Sequence, residues 1–166
     1  MSSSFKERVS KLTQETSGQT AEATAIINES KHILSETADD AEAEVAGLNF
    51  QSAVASHQNW KVRFRAMIES GIVEALDPKM IAQDNQCAIG KWIYGPAKEK
   101  YGSHPLYEKL RSDHAVFHTS ASRVLEMILR GDKQNALYEI ERGDFSRATN
   151  DMIIDLALFY KVVVKE

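Results

Sequence analysis

The sequence predicts an all-α fold: a four-helix bundle, with a short cysteine-bearing helix in its first long connection and a helical extension at its N-terminus. Three observations carry this. Glycine (8) and proline (3) are scarce among 166 residues, so there are few places for the chain to turn. Apolar residues recur at three and four along several long stretches, the spacing of one helix face. Nothing in the chain reads as a paired strand.

Composition narrows the function. With 43% hydrophobic and 27% charged residues, the chain has the make-up of a globular protein with a real core. The net charge of −4 argues against a nucleic-acid partner. No apolar run approaches the roughly 20 residues of a membrane span. Met1-Ser2-Ser3-Ser4-Phe5 has neither an apolar core nor a cleavage pattern, so no signal peptide is expected. A single cysteine, Cys87, cannot make an internal disulfide, and a reducing, cytoplasmic setting is the expectation.

Two regions are expected, 1–46 and 47–166. The first carries nine acidic residues against four basic ones and twelve serines and threonines, with no aromatic after Phe5. Leu12, Ile26 and Ile33 share one heptad frame, and Ile27, Leu34, Ala41 and Leu48 another, while Glu15, Glu22, Glu29 and Glu36 recur every seven residues on an outer face. This is a weak coiled-coil pattern, read either as a dimerising helix or as a solvated lead-in.

From Leu48 a stronger stripe begins: Phe50, Ala53, Val54, His57, Trp60, Phe64, Met67 and Ile68, with Gly71 as the cap that ends it. Asp77-Pro78 marks a helix start, Asp as cap and Pro at the first position. Asp84-Asn85-Gln86 breaks the pattern before Cys87, and a short helix is predicted through Trp92 and Ile93, ending at Gly95-Pro96. A second short turn runs to Tyr101-Gly102. Ser103 is the predicted cap of the next long helix, whose stripe is Leu106, Leu110, His114, Phe117, His118, Ala121, Val124, Leu125 and Ile128. Gly131-Asp132 forms a turn. A last helix follows from about Lys133, its inward residues including Leu137, Ile140, Ala148, Met152, Ile153, Leu156, Phe159, Tyr160 and Val163, with a bend or break at Gly143-Asp144.

Three histidines therefore fall on apolar stripes. His114 and His118 are four apart, which puts two imidazoles on one helix face a turn apart. His57 faces inward from another helix, and Cys87 offers a thiolate. Taken singly, each is more often a hydrogen-bonded core histidine or a small buried hydrophobe. Three core-facing imidazoles near one thiol need a common reason, because unpaired polar groups in a core are costly. A shared metal ion supplies that reason. One cysteine and three histidines close a tetrahedral shell, and zinc (Zn2+) prefers the mixture, although ligand type alone leaves copper or iron open. His32 lies off its stripe and His104 stands at a helix start, so neither reads as a ligand. Trp60 and Trp92 read as packing around the site, and Gly90 as room for the cysteine-bearing turn to approach a helix. Lys91 reads as solvated. Asp113, beside His114, points to a different face, which makes it a poor orienter for a ligand histidine.

His57-x-x-Trp60, then Cys87-x-Ile89-Gly90-x-Trp92, then His114-x-x-x-His118, with gaps of 30, 27 and 4 residues, resembles the chemoreceptor zinc-binding (CZB) domain, the family found in bacterial chemoreceptors and diguanylate cyclases. The resemblance runs from about Leu48 to Val164. It implies a cytoplasmic four-helix bundle, often a homodimer, that binds zinc through His57, Cys87, His114 and His118. It further implies a regulatory module of chemotaxis or cyclic-di-GMP signalling, not an enzyme, answering to zinc occupancy or to oxidation of the zinc-bound cysteine, for example by hypochlorous acid. The partner implied is a signalling protein of chemoreceptor or cyclase type. The main rival is a structural zinc staple in an interaction module. A zinc hydrolase is disfavoured, because His114-Ala115-Val116-Phe117-His118 lacks the glutamate of a protease helix and four protein ligands leave no open position. A hemerythrin-like di-iron centre would need inward carboxylates that the stripes do not offer.

Overall fold

The computed structural model describes residues 44–164. The extension expected over 1–46, with its heptads, lies outside the described residues except for its last three. Those three, with Gly47 to Asn49, form a small antiparallel hairpin of β1 (Glu44–Val45) and β2 (Leu48–Asn49), in which Val45 pairs with Leu48. The strand is a departure from the sequence reading. Ala46 and Gly47 both take positive φ (50° and 86°), as a two-residue primed turn requires. Two-residue strands are too short to show an alternating pattern.

The remaining described residues are mainly helical. Asn49 caps α1 (Phe50–Ser70) by accepting from the Ser52 amide, and Gly71 closes it in the left-handed conformation (φ 71°) with its amide on the Met67 carbonyl. Asp77 caps the single turn α2 (Pro78–Ile81), with Pro78 at the first position. Cys87 caps α3 (Ala88–Trp92), and the helical run breaks where expected, at Gly95-Pro96: Gly95 has non-helical backbone angles (φ −110°, ψ −108°), and beyond this kink the chain turns into α4 (Lys98–Tyr101). The Tyr107 hydroxyl donates to the Ile93 carbonyl (3.0 Å), tying the residues before that kink to the next helix.

The cap of α5 (Pro105–Leu129) is His104, not Ser103: its Nδ1 accepts from the Leu106 amide (3.2 Å). Gly131 turns the chain with φ 76°. The last helix is two, α6 (Lys133–Glu141) and α7 (Asp144–Val163), and a Glu139 carboxylate reaches across the break to accept from the Phe145 amide (3.1 Å). Among the described residues, α1, α5, α6 and α7 are thus the helices of nine residues or more, and they pack about one core.

The α5–α7 interface is the most extensive. Every residue of the α1 and α5 stripes is buried except Trp60 and Leu106, which are half-buried. Phe145, absent from the sequence stripe, is fully buried, and its ring lies 5.5 Å from Phe64 and 5.7 Å from Phe117. Trp92 locks the cysteine helix to the hairpin and the bundle. Its indole N–H donates to the Val45 carbonyl (3.0 Å), and its ring meets Phe50 and Phe159 edge-on at 5.3 and 5.8 Å. No helix among the described residues is long and apolar enough to cross a membrane.

Candidate metal centre

His57, Cys87, His114 and His118 come together. One donor atom from each lies within 4.8 Å of every other. Three separate pieces of chain supply them: α1, the cap of α3, and two successive turns of α5. The histidines are 4%, 0% and 6% exposed, so the imidazoles sit in the core and Cys87 is half-buried at its edge.

The cysteine turn is held there by a backbone contact. A Cβ on Gly90 would stand 1.8 Å from the Asp84 carbonyl oxygen, so only glycine lets α3 lie against the preceding loop. The close approach expected of Gly90 is therefore to this loop and not to a helix. The Gly90 amide also donates to Cys87 Sγ (3.2 Å).

Two ring orientations follow from backbone carbonyls, which can only accept. His57 Nδ1 lies 2.9 Å from the Ala53 carbonyl and His118 Nδ1 lies 2.6 Å from the Ile81 carbonyl. Each Nδ1 must therefore carry its proton and donate, which leaves a bare lone pair on each Nε2. His57 Nε2 faces Cys87 Sγ at 3.9 Å, and His118 Nε2 is buried with no hydrogen-bond partner. His114 turns Nε2 to Sγ at 3.3 Å and leaves Nδ1 buried and unpartnered. Three imidazole lone pairs thus share one S–H donor. No choice of tautomer satisfies them all, whereas a single cation would.

Burial keeps the imidazoles neutral, the form that binds metal. It lowers His57 from 6.5 to about 4, with the Ala53 bond opposing and His118 adding to the fall. His114 falls to about 2 through burial and its two neighbouring imidazoles, and His118 is lowered by burial. Burial also raises the Cys87 thiol above its usual range, opposed by the amides of Gly90 and Ile89. A bound cation would reverse that preference and hold thiolate.

The bystanders are now placed. Asp113 pairs with Lys109 (2.7 Å), not with a histidine, and Lys91 is exposed. His104 caps α5, and His32 lies outside the described residues. The sequence reading missed the two carbonyls that orient His57 and His118. The Ala53 carbonyl is the i−4 partner that a helix makes available, whereas nothing in the sequence announced Ile81.

Residues 57–125 match the family model of the chemoreceptor zinc-binding domain, a span that begins at His57 and holds all four clustered residues. It is shorter than the Leu48–Val164 range of the resemblance. Comparison with curated proteins and with solved structures returns no match. The family is a zinc-binding one and the cluster is suited to a metal ion. Residues 57–125, less than half of the chain, are thus similar to the chemoreceptor zinc-binding domain.

Proposed function

We propose that His57, Cys87, His114 and His118 are the ligands of one zinc ion, and that the chain is a regulatory module of bacterial signalling in which zinc occupancy or the state of Cys87 sets the conformation of the bundle. The observation that carries this is the mismatch of three buried imidazole lone pairs with a single thiol donor. When bound, zinc supplies a cross-link between chain segments and holds Cys87 as thiolate. The chain supplies the rest. The Ala53 and Ile81 carbonyls hold two imidazoles in the metal-binding tautomer, the stripes of α1 and α5 bury them, and Cys87 stands at the half-buried corner.

That asymmetry favours a sensor over a staple. Three donors are locked in the core, while the fourth hangs from a five-residue helix. Loss of Cys87 from the shell would free α3, and with it the Trp92 bond to the hairpin. A cytoplasmic homodimer that docks on a chemoreceptor or cyclase fits this reading.

Native mass spectrometry and competition with a chromophoric chelator test it. Wild type is expected to bind one zinc per chain. Cys87→Ala should keep that stoichiometry with affinity at least 100-fold weaker, since even an outer partner of a ligand is worth about 10–100-fold. Wild type without zinc would end the reading. A zinc affinity far tighter than free cellular zinc, unchanged by oxidation, would favour the staple.

A further inference from the structure

A cavity of about 420 Å3 opens beside the centre. Its mouth is formed by exposed residues of the hairpin and the start of α1: Gly47, Asn49, Ser52 and Ser56. Its floor is buried and includes Leu48, Ala53, Ile89 and two of the clustered histidines, His57 and His118. Cys87 and Trp60 stand half-buried between mouth and floor. His118, 6% exposed and with its Nε2 unpartnered, lines the same space. No lysine, arginine, aspartate or glutamate lines it among the described residues.

We infer that this cavity is the route by which small molecules reach Cys87 Sγ, and that it selects for small uncharged electrophiles over ions. An ion entering it sheds water against Leu48, Ala53, Ile89 and the Trp60 ring, with no charged side chain among the described lining residues to replace that water. The cost of burying an unpaired charge is far greater than that of a neutral molecule of equal size. A neutral molecule loses little and gains apolar contact on the way to the sulfur. The inference deepens the proposed function by naming the chemistry of what reaches the half-buried corner of the site. It does not depend on zinc, so a chain that binds no metal and still discriminates would sink the metal reading and leave this one standing.

The test uses the full chain and three methanethiosulfonates of similar length: propyl (neutral), sulfonatoethyl (anionic) and trimethylammonioethyl (cationic). In each, the Cys87 thiolate attacks the sulfenyl sulfur, a mixed disulfide forms, and methanesulfinate leaves with the electron pair of the broken S–S bond. Rates are measured metal-free and zinc-loaded, each divided by the rate of the urea-unfolded chain. Helical circular dichroism confirms the fold, and if the metal-free chain loses it, the zinc-loaded chain decides. The neutral reagent is expected to lead both ions by at least tenfold. Ser56→Trp, at the mouth and outside the ligand set, should slow the neutral reagent at least fivefold without changing zinc affinity. Ser56→Asp should raise the relative rate of the cation, and Ser56→Lys that of the anion. Equal normalised rates for the three reagents, or rates indifferent to residue 56, would overturn the inference.

Discussion

Acidifying the metal-free protein should destabilise it well above the range where its carboxylates ordinarily titrate, because its core holds histidines that cannot accept a proton in place. His57 and His114 have folded-state values of about 4 and about 2 against an ordinary 6.5. The unfolded chain therefore takes up protons first, and stability falls as pH drops below about 6.5. At pH 5 each histidine favours the unfolded state by about 2 kcal/mol, roughly 4 kcal/mol together. His118 is shifted in the same direction. Asp155 works the other way. It is 3% exposed, and burial followed by its bond to Asp113 raises it to about 6 from 3.8, so it contributes stability as pH falls through 6. That offset is about 1 kcal/mol at pH 5 once discounted for solvent around the exposed Lys109. The net expectation is a loss of about 3 kcal/mol between pH 7.5 and 5, against a total of about 5–15 kcal/mol for a typical domain. Urea unfolding followed by circular dichroism, in the presence of a chelator, measures it. Zinc-loaded protein should resist to lower pH, because bound metal keeps the imidazoles neutral. A metal-free stability constant to within about 1 kcal/mol across this range would refute the reasoning, since it would mean the imidazoles are already solvated.

Other substitutions probe the scaffold. Gly90→Ala puts a Cβ where the Asp84 carbonyl stands, and a backbone oxygen cannot swing aside. It should cost at least the 1–3 kcal/mol of an overpacked core and lower zinc affinity with it, read as a fall in thermal midpoint and in chelator competition. Trp92→Phe removes the donor to the Val45 carbonyl while keeping an aromatic ring against Phe50 and Phe159. A loss of about 1–2 kcal/mol is expected, with hydrogen exchange quickening at the hairpin before it does in α5. Asp155→Asn should steepen the acid loss by about 1 kcal/mol, as it deletes the group that opposes the histidines.

The long elements were legible because burial imposes a period on sequence. The stripes of α1 and α5 had to be apolar to pack, and three histidines set among them stood out as polar groups in need of a reason. The break between α6 and α7 was marked by Gly143-Asp144 as a bend, but Phe145, two residues later, was missed as core, because a helix restarted after a break does not keep the phase of the one before it. The hairpin was invisible, because two residues per strand give no alternation, even though Leu48 is buried in the core, Val45 packs against it and the Trp92 indole bonds the Val45 carbonyl. Asp155 was hidden by its apolar neighbours Ile153, Leu156 and Ala157, the pattern that makes a helix face read as purely hydrophobic.

The site divides along the same line. The four side chains that meet have distinct chemistry and could be found by type and spacing. The groups that fix their protonation are main-chain carbonyls, which every residue carries and no residue type marks. Ile81 shows the consequence. In the sequence it belongs to an irregular stretch between two better-marked elements, yet its carbonyl sets the tautomer of His118 and so leaves the free lone pair on Nε2. The Ile81 carbonyl is held there because Asp77 caps the turn and Pro78 starts it, while the Ser122 hydroxyl on α5 donates to the Pro78 carbonyl (2.8 Å). The legible part of this stretch, its Asp-Pro helix start, thus helps to place the illegible one, together with a Ser122 bond that the sequence did not announce. A reading of donor side chains alone finds the corners of such a centre, and the backbone that aims them has to be read from the fold.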